Sequence, residues 1–224
     1  MPRGAVHSVL IAVDDGIIQQ VKDATEAHKT LRALRSADAQ WRTYGLRKAD
    51  AARRRAAWRT EVQRQRHAGE LLDTVDVLVE YGVREEMRVR RWDHEWDPAP
   101  EEAWDQGRWP GSRDRGIDGY PERVSARLDA ELVAQAVAAC WWTSAPAIDR
   151  LRAWRDCYPG ITPPRYQLDE EGRRRLIGPL AEYVRLADQV TTTGVVWRAG
   201  VTRGLAAARA SIPAQSAGEA SGQA

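Results

Sequence analysis

The sequence predicts a mostly α-helical protein, with a long helical hairpin or coiled-coil arm followed by a small helical bundle. Three observations lead to this prediction. Apolar residues recur every three or four positions over residues 17–41, which is the spacing of one helix face. Residues 92–121 are rich in proline and glycine, which interrupts any long helix. Helical spacing then returns over much of residues 122–206.

The 224 residues suffice for one core, or for a domain with a helical extension. The tail after residue 206 is dominated by Ala, Ser, Gly and Gln, a composition typical of disorder. We predict four parts: an N-terminal helical arm with a basic block (1–91), a Trp-rich acidic loop (92–121), a C-terminal helical bundle (122–206) and a disordered tail (207–224).

Composition indicates the kind of genome that encodes the chain. Phe and Asn are absent, and there are only three Lys beside many Arg and ten Trp. The missing residues have AT-rich codons, so a GC-rich bacterial genome accounts for the pattern. The abundance of Arg is therefore uninformative by itself, and only local clusters of Arg carry information.

The first apolar run, residues 5–13, is compatible with a strand or with the first turns of a helix. It is too short to span a membrane and leads directly into Asp14 and Asp15, which could cap the next helix. The run also lacks the cleavage site of a signal peptide. Two cysteines do not form a disulfide scaffold. We therefore expect a cytoplasmic protein that does not insert into a membrane.

Helical spacing indicates a helix from residue 17 and again from residue 71 to residue 87, with a basic block between them. Residues 75–81 contain β-branched residues, but their flanks favour a helix. The whole segment is either one very long helix or an antiparallel helical hairpin. Gly45 or residues 67–69 would form the bend.

The basic block, residues 42–67, contains nine Arg or Lys against two acids. On a helical wheel the nine charges point in almost every direction. Such a helix could neutralise phosphates, and its tryptophan could stack on bases if the target is single-stranded. The candidate nucleic-acid-binding residues are Arg47, Lys48, Arg53, Arg54, Arg55, Trp58, Arg59, Arg64 and Arg66.

The acidic block, residues 70–105, has twelve acids and four bases, so its charge nearly cancels that of the basic block. The two blocks could therefore pair with each other, in one chain or between two copies. Within residues 92–121, tryptophans alternate with acids. They could recruit a protein partner, or they could fix a long loop to the helices. The candidate partner-binding residues are Trp92, Trp96, Trp104 and Trp109.

Residues 123–128 alternate polar and apolar side chains, as in a strand, and Asp129 can cap a following helix. Thr143 and Ser144 indicate a second helix that continues to residue 158. This strand and two helices resemble the ribbon-helix-helix family of DNA-binding proteins. The resemblance implies that the strand pairs with a second chain and that Arg123, Ser125 and Arg127 face DNA. The turn lacks the usual glycine, and a helical hairpin within a bundle is the interpretation that we adopt.

A further helix is predicted from residue 168 or 169 to residue 190, and residues 191–197 are compatible with a strand or a helix. We find no phosphate-binding loop, no paired metal-binding histidines and no nucleophile motif, and the four histidines are scattered. We therefore predict no catalytic residues, no metal site and no cofactor; the sequence favours a protein that is not an enzyme but leaves that question open.

Two functions remain open from the sequence. The first is a non-enzymatic, nucleic-acid-associated protein whose basic helix binds the phosphate backbone. Such a protein could have a regulatory role. The alternative is a structural or adaptor protein. In that case the basic and acidic blocks pair with each other, within one chain or between two associated copies. The Trp-rich loop then recruits a protein partner.

Overall fold

The computed structural model describes residues 5–104, 109–110, 119–164 and 168–212. Within these residues the predicted mostly α class is confirmed, with seven α-helices and one two-stranded sheet. The elements are β1 (Val6–Val13), α1 (Ile17–Ser36), α2 (Lys48–His67), α3 (Val75–Val89), β2 (Glu122–Asp129), α4 (Ala130–Cys157), α5 (Glu170–Arg174), α6 (Gly178–Ala187) and α7 (Thr193–Ser211). No helix in the described part of the chain is both long and apolar enough to cross a membrane.

The chain divides into two compact units. The first, which we call the sheet unit, contains Met1–Asp15 and Glu86–Arg198. The second, the basic unit, contains Gly16–Glu85 and Ala199–Ala224. The basic unit therefore holds α1, α2, most of α3 and most of α7. Residues 213–224 of the predicted tail lie outside the described residues.

The basic unit has three separate helices, α1, α2 and α3, so the prediction of one very long helix is wrong. The breaks contain Gly45 and Gly69, whose φ angles of 77° and 74° lie in the left-handed region that favours glycine. A side chain at Gly69 would also meet the ring of Tyr81, whose Cζ lies 2.4 Å from the Cβ position. Residues 75–81 belong to α3, as their flanks predicted.

His28 joins three segments of the basic unit. The ring is fully buried; Nδ1 accepts a hydrogen bond from the backbone N–H of Leu72 at 3.1 Å, and Nε2 lies 3.1 Å from the backbone O of Ala208. Because Nδ1 accepts, Nε2 carries the proton and donates to Ala208. Residues 207–211, predicted to be part of a disordered tail, are instead helical, since the buried Ala208 packs in this core.

The sheet unit contains an antiparallel ribbon in which β1 pairs with β2, with Ile11 opposite Val124 and Ser8 opposite Arg127. Residues 5–13 are thus mainly a strand. In β2, Val124, Ala126 and Leu128 are buried while the residues between them are exposed, which is the predicted alternation. The ribbon-helix-helix resemblance implies pairing with a second chain, but β2 pairs with a strand of its own chain.

The predicted helical hairpin after Asp129 is wrong, because α4 runs without a break for 28 residues. Asp129 caps it as predicted, by accepting from the backbone N–H groups of Glu131 and Leu132. Thr143 does not start a new helix; its hydroxyl donates to the carbonyl of Ala139 at 2.6 Å. Pro146 costs about 3 kcal/mol inside a helix, and burial of apolar residues on both sides of it offsets that cost.

The predicted helix from residue 168 to residue 190 is interrupted and forms α5 and α6. Arg175, Leu176 and Ile177 separate the two helices. A cluster between α4 and α6 forms the core here, and the indole N–H of Trp154 donates to the carbonyl of Pro179 at 2.8 Å. Residues 193–197 belong to α7, so the helical alternative holds there.

Candidate nucleic-acid interface

The cations of the basic block fall into two groups, those with a partner in the part of the chain that the structure describes and those without one there. Arg53 forms an ion pair with Asp50 one turn earlier on α2. Arg64 binds two carboxylates, Glu61 at 2.8 Å and Glu70 at 3.1 Å. Hydrogen bonds, chiefly from Arg64, lower the pKa of Glu61 to about 2. The charges of Arg53 and Arg64 are therefore already compensated within the basic unit.

Arg66 is bound to a buried carboxylate. Its Nε and Nη2 donate to the two carboxylate oxygens of Asp73, both at 2.9 Å, and Arg32 donates to the same group at 2.9 Å. Asp73 is only 1% exposed. Burial alone would raise the pKa of Asp73, but the bonds from Arg66 and Arg32 hold it below its usual value. Arg66 thus has a structural partner that competes with any phosphate.

Arg54 and Trp58 hold the segment that precedes α2. Arg54 donates to the backbone carbonyl of Arg42 at 2.7 Å. The ring of Trp58 packs against Trp41, with 5.1 Å between ring centroids. Both Arg54 and Trp58 are half-buried. The tryptophan predicted to stack on bases is therefore in contact with another tryptophan.

Four cations of the basic block have no partner among the described residues. Arg47, Lys48, Arg55 and Arg59 are exposed, and their side chains form no hydrogen bond or ion pair with any residue that the structure describes. On a helix that turns about 100° per residue, Lys48, Arg55 and Arg59 fall within about 40° of one another. Their Cα atoms span about 16 Å at 1.5 Å per residue. We call these three residues the open stripe.

Two of the partnered cations, Arg53 and Arg64, lie on a different face of α2 from the open stripe, whereas Arg66, which is bound to Asp73, lies on the same face as the stripe. Arg53 and Arg64 project roughly 140–160° away from the open stripe around the helix axis. The buried side of the helix, with Ala51 and Val62, lies between these faces. The nine charges have no common direction, as the sequence indicates, but the unpartnered ones on the helix share one face.

The start of α2 places positive charge where a helix disfavours it. Arg47 is the N-cap and Lys48 is the first helical residue. Cations near a helix N-terminus cost about 0.3–1 kcal/mol, because the helix dipole is positive there. Asp50, the acid of the first turn, is bound by Arg53. The position of Arg47 and Lys48 does not stabilise the fold, but it concentrates positive potential at one end of the open stripe.

Within the basic unit, the described acids of the acidic block do not pair with the open stripe. Glu70 and Asp73 bind cations of the basic block, as described above. Two other acids are held by arginines four residues later, Glu80 by Arg84 at 3.0 Å and Glu86 by Arg90 at 2.6 Å. The predicted pairing of the blocks is therefore partial.

The four tryptophans predicted as a partner surface differ in exposure. Trp92 and Trp109 are buried, and Trp96 is half-buried. Trp109 packs edge-on against Trp141, at 5.3 Å between ring centroids. Trp104 is 46% exposed, so among these four it offers the most surface to a partner.

Hydrogen bonds fix the first part of the Trp-rich loop to α4. The amide of Gln135 donates to the carbonyls of Trp92 and His94, at 3.3 and 3.1 Å. The indole N–H of Trp142 donates to the carbonyl of Asp97 at 2.8 Å. These bonds favour the alternative in which the tryptophans anchor the loop. Residues 105–108 and 111–118 of the loop lie outside the described residues.

Metal-ligating side chains are not brought together in the described part of the chain. No cluster of three or more His, Cys, Asp or Glu side chains there could hold a metal ion. Burial raises the pKa of the Cys140 thiol to about 12, which keeps it protonated and unreactive. Both ring nitrogens of His28 are engaged with backbone groups.

Sequence reasoning missed one exposed aromatic residue, Tyr44, which lies just before the basic helix and is fully exposed. The available signal was a Tyr-Gly pair, which is typical of a tight turn.

Comparisons of the chain with protein-family models, with curated proteins and with solved structures find no match.

Proposed function

We propose that this protein is a nucleic-acid-associated protein that binds the phosphate backbone through α2. The observation that carries the proposal is the open stripe, because Lys48, Arg55 and Arg59 are exposed, unpartnered among the described residues and aligned on one face. As part of the proposal, the segment from α1 to α3 acts as the arm that presents this face.

Phosphate groups suit this face for two reasons. Arginine donates in a planar fork that matches phosphate oxygens, and each neutralised phosphate releases condensed counterions. Rises of about 6 Å between Arg55 and Arg59 and about 10 Å between Lys48 and Arg55 allow different phosphates to be bound. Contacts with phosphate groups carry no direct sequence information, so binding through them is largely independent of sequence.

The direct test is the affinity for labelled oligonucleotides, measured by fluorescence anisotropy. We expect the Lys48/Arg55/Arg59→Ala variant to bind at least tenfold more weakly than wild type. The matched control is Lys29/Arg53/Arg84→Ala, which removes the same charge. Each control residue is exposed and forms an ion pair within its own helix. Equal losses in the two variants would mean that net charge, and not the open stripe, determines binding.

An adaptor function is the second candidate, and two observations favour it. Arg64 and Arg66 of the basic block bind Glu70 and Asp73 of the acidic block. Trp104 exposes about half of its surface. In this alternative the open stripe binds an acidic protein, or a second copy of the chain, and Trp104 adds an apolar contact. Absence of oligonucleotide binding at low salt, together with a Trp104-dependent oligomer in sedimentation, would favour the adaptor.

A further inference from the structure

Tyr44 is an aromatic side chain whose position no contact with the described residues explains. Its side chain is 100% exposed, and it makes no hydrogen bond or ring contact with any described residue. It stands between Trp41 and the first cations of α2, on a segment of the basic unit. A large apolar ring fully in water contributes nothing to folding through burial.

The backbone holds Tyr44 at the corner of a tight turn. The N–H of Leu46 donates to the carbonyl of Thr43 at 3.3 Å. Gly45 has a φ of 77°, whereas Tyr44 does not have a positive φ. This combination is typical of a type II β-turn with Tyr44 at the second position and glycine at the third. The turn therefore directs the tyrosine outwards.

Both sides of this turn are anchored. Before it, Arg42 is held by Arg54 through its carbonyl, and Trp41 packs on Trp58. After it, α2 begins at Lys48. The two candidate residues Arg54 and Trp58 thus have another role, which is to fix the exposed ring relative to the helix that carries the open stripe. A fixed ring loses less conformational freedom when it binds.

We propose that the protein binds single-stranded nucleic acid, with Tyr44 stacking on an unpaired base while the open stripe holds the adjoining phosphates. This inference rests on the proposed function and specifies its ligand. Bases in a duplex are stacked on each other, so an exposed aromatic ring finds its partner in a single strand. Lys48, four residues after Tyr44, begins the stripe and places backbone contacts beside the stacking residue.

The test compares three labelled ligands: a single-stranded oligothymidylate, an abasic strand of the same length and a duplex. Wild type binds the oligothymidylate more tightly than the abasic strand, which carries the same phosphates but no bases. Tyr44→Ala loses about five- to hundredfold in affinity for the oligothymidylate, as expected for one lost stack. Its affinity for the abasic strand stays unchanged. Tyr44→Phe keeps the ring and binds like wild type.

Leu46→Ala is the matched control, because Leu46 is a partly exposed apolar residue of the same turn that has no ring. We expect it to bind all three ligands like wild type. Equal affinity of wild type for the base-containing and abasic strands would overturn the inference and leave the proposed function intact. Failure to bind any of the three ligands would overturn both. Tyr44-dependent binding to anionic lipid vesicles alone would assign the turn to a membrane surface and would also overturn the inference.

Discussion

Replacement of Gly82 by alanine tests the crossing of α3 and α7 in the basic unit. A Cβ atom at Gly82 would lie 1.9 Å from the carbonyl oxygen of Gly200 and 2.6 Å from the backbone nitrogen of Gly204. Ordinary contacts of a Cβ atom are 3.4–4 Å. The two helices would therefore have to separate by about 1.5 Å or more, since the atoms in the way are backbone atoms that cannot rotate aside.

The loss in free energy of unfolding arises because this separation disturbs the buried core at the helix crossing. Leu78 and Val83 are completely buried, and both lie beside the crossing, within 3 Å of Cβ positions at Gly204 and Gly200. Forcing extra atoms into such a core costs about 1–3 kcal/mol or more. The better helix propensity of alanine returns up to about 1 kcal/mol. We expect a net loss of about 2 kcal/mol, which corresponds to a fall in Tm of roughly 4–8 °C.

Thermal unfolding followed by circular dichroism measures this loss. The matched control is Gly160→Ala, because no atom lies within 4 Å of a Cβ at that position. We expect the control to change the free energy of unfolding by less than about 0.5 kcal/mol. A Gly82→Ala variant as stable as wild type would refute the close crossing of the helices.

Two further predictions concern buried polar groups of the basic unit. Asp73→Asn should lower the free energy of unfolding, measured in urea, by about 3 kcal/mol, because Arg66 and Arg32 lose a buried carboxylate. Asp50→Asn is the control, and an equally small loss in both variants would contradict this prediction. Burial lowers the pKa of His28, so the folded state takes up its proton at lower pH than the unfolded state. Stability should therefore fall as the pH drops below about 6.5, by up to about 1.4 kcal/mol per pH unit. His28→Gln should remove this slope while His67→Gln, at an exposed site, should retain it; equal slopes in both variants would contradict the assignment.

Local patterns predicted local structure well. Alternation in residues 123–128 predicted β2, and the position of Asp129 predicted the cap of α4, because both depend on neighbours in sequence. The pairing of β1 with β2 was not predicted, since it joins residues more than a hundred positions apart. Thr143 and Pro146 indicated a break in α4, but buried side chains on both sides keep the helix continuous.

The candidate site shows the same limit of sequence reasoning. Arg53, Arg54 and Arg55 are adjacent and chemically equal in the sequence. In the structure Arg53 binds a carboxylate, Arg54 binds a backbone carbonyl, and Arg55 is without a partner among the described residues. Tertiary contacts decide between these states, and no local pattern contains them.

The salt dependence of oligonucleotide binding tests the central claim most directly. Each phosphate neutralised on a single strand contributes about −0.7 to the slope of log affinity against log salt concentration. If Lys48, Arg55 and Arg59 each bind a phosphate, their replacement by alanine should flatten the slope by about 2, whereas the charge-matched control should leave it nearly unchanged. An identical slope for wild type and the open-stripe variant would contradict the claim that this face of α2 binds the nucleic-acid backbone.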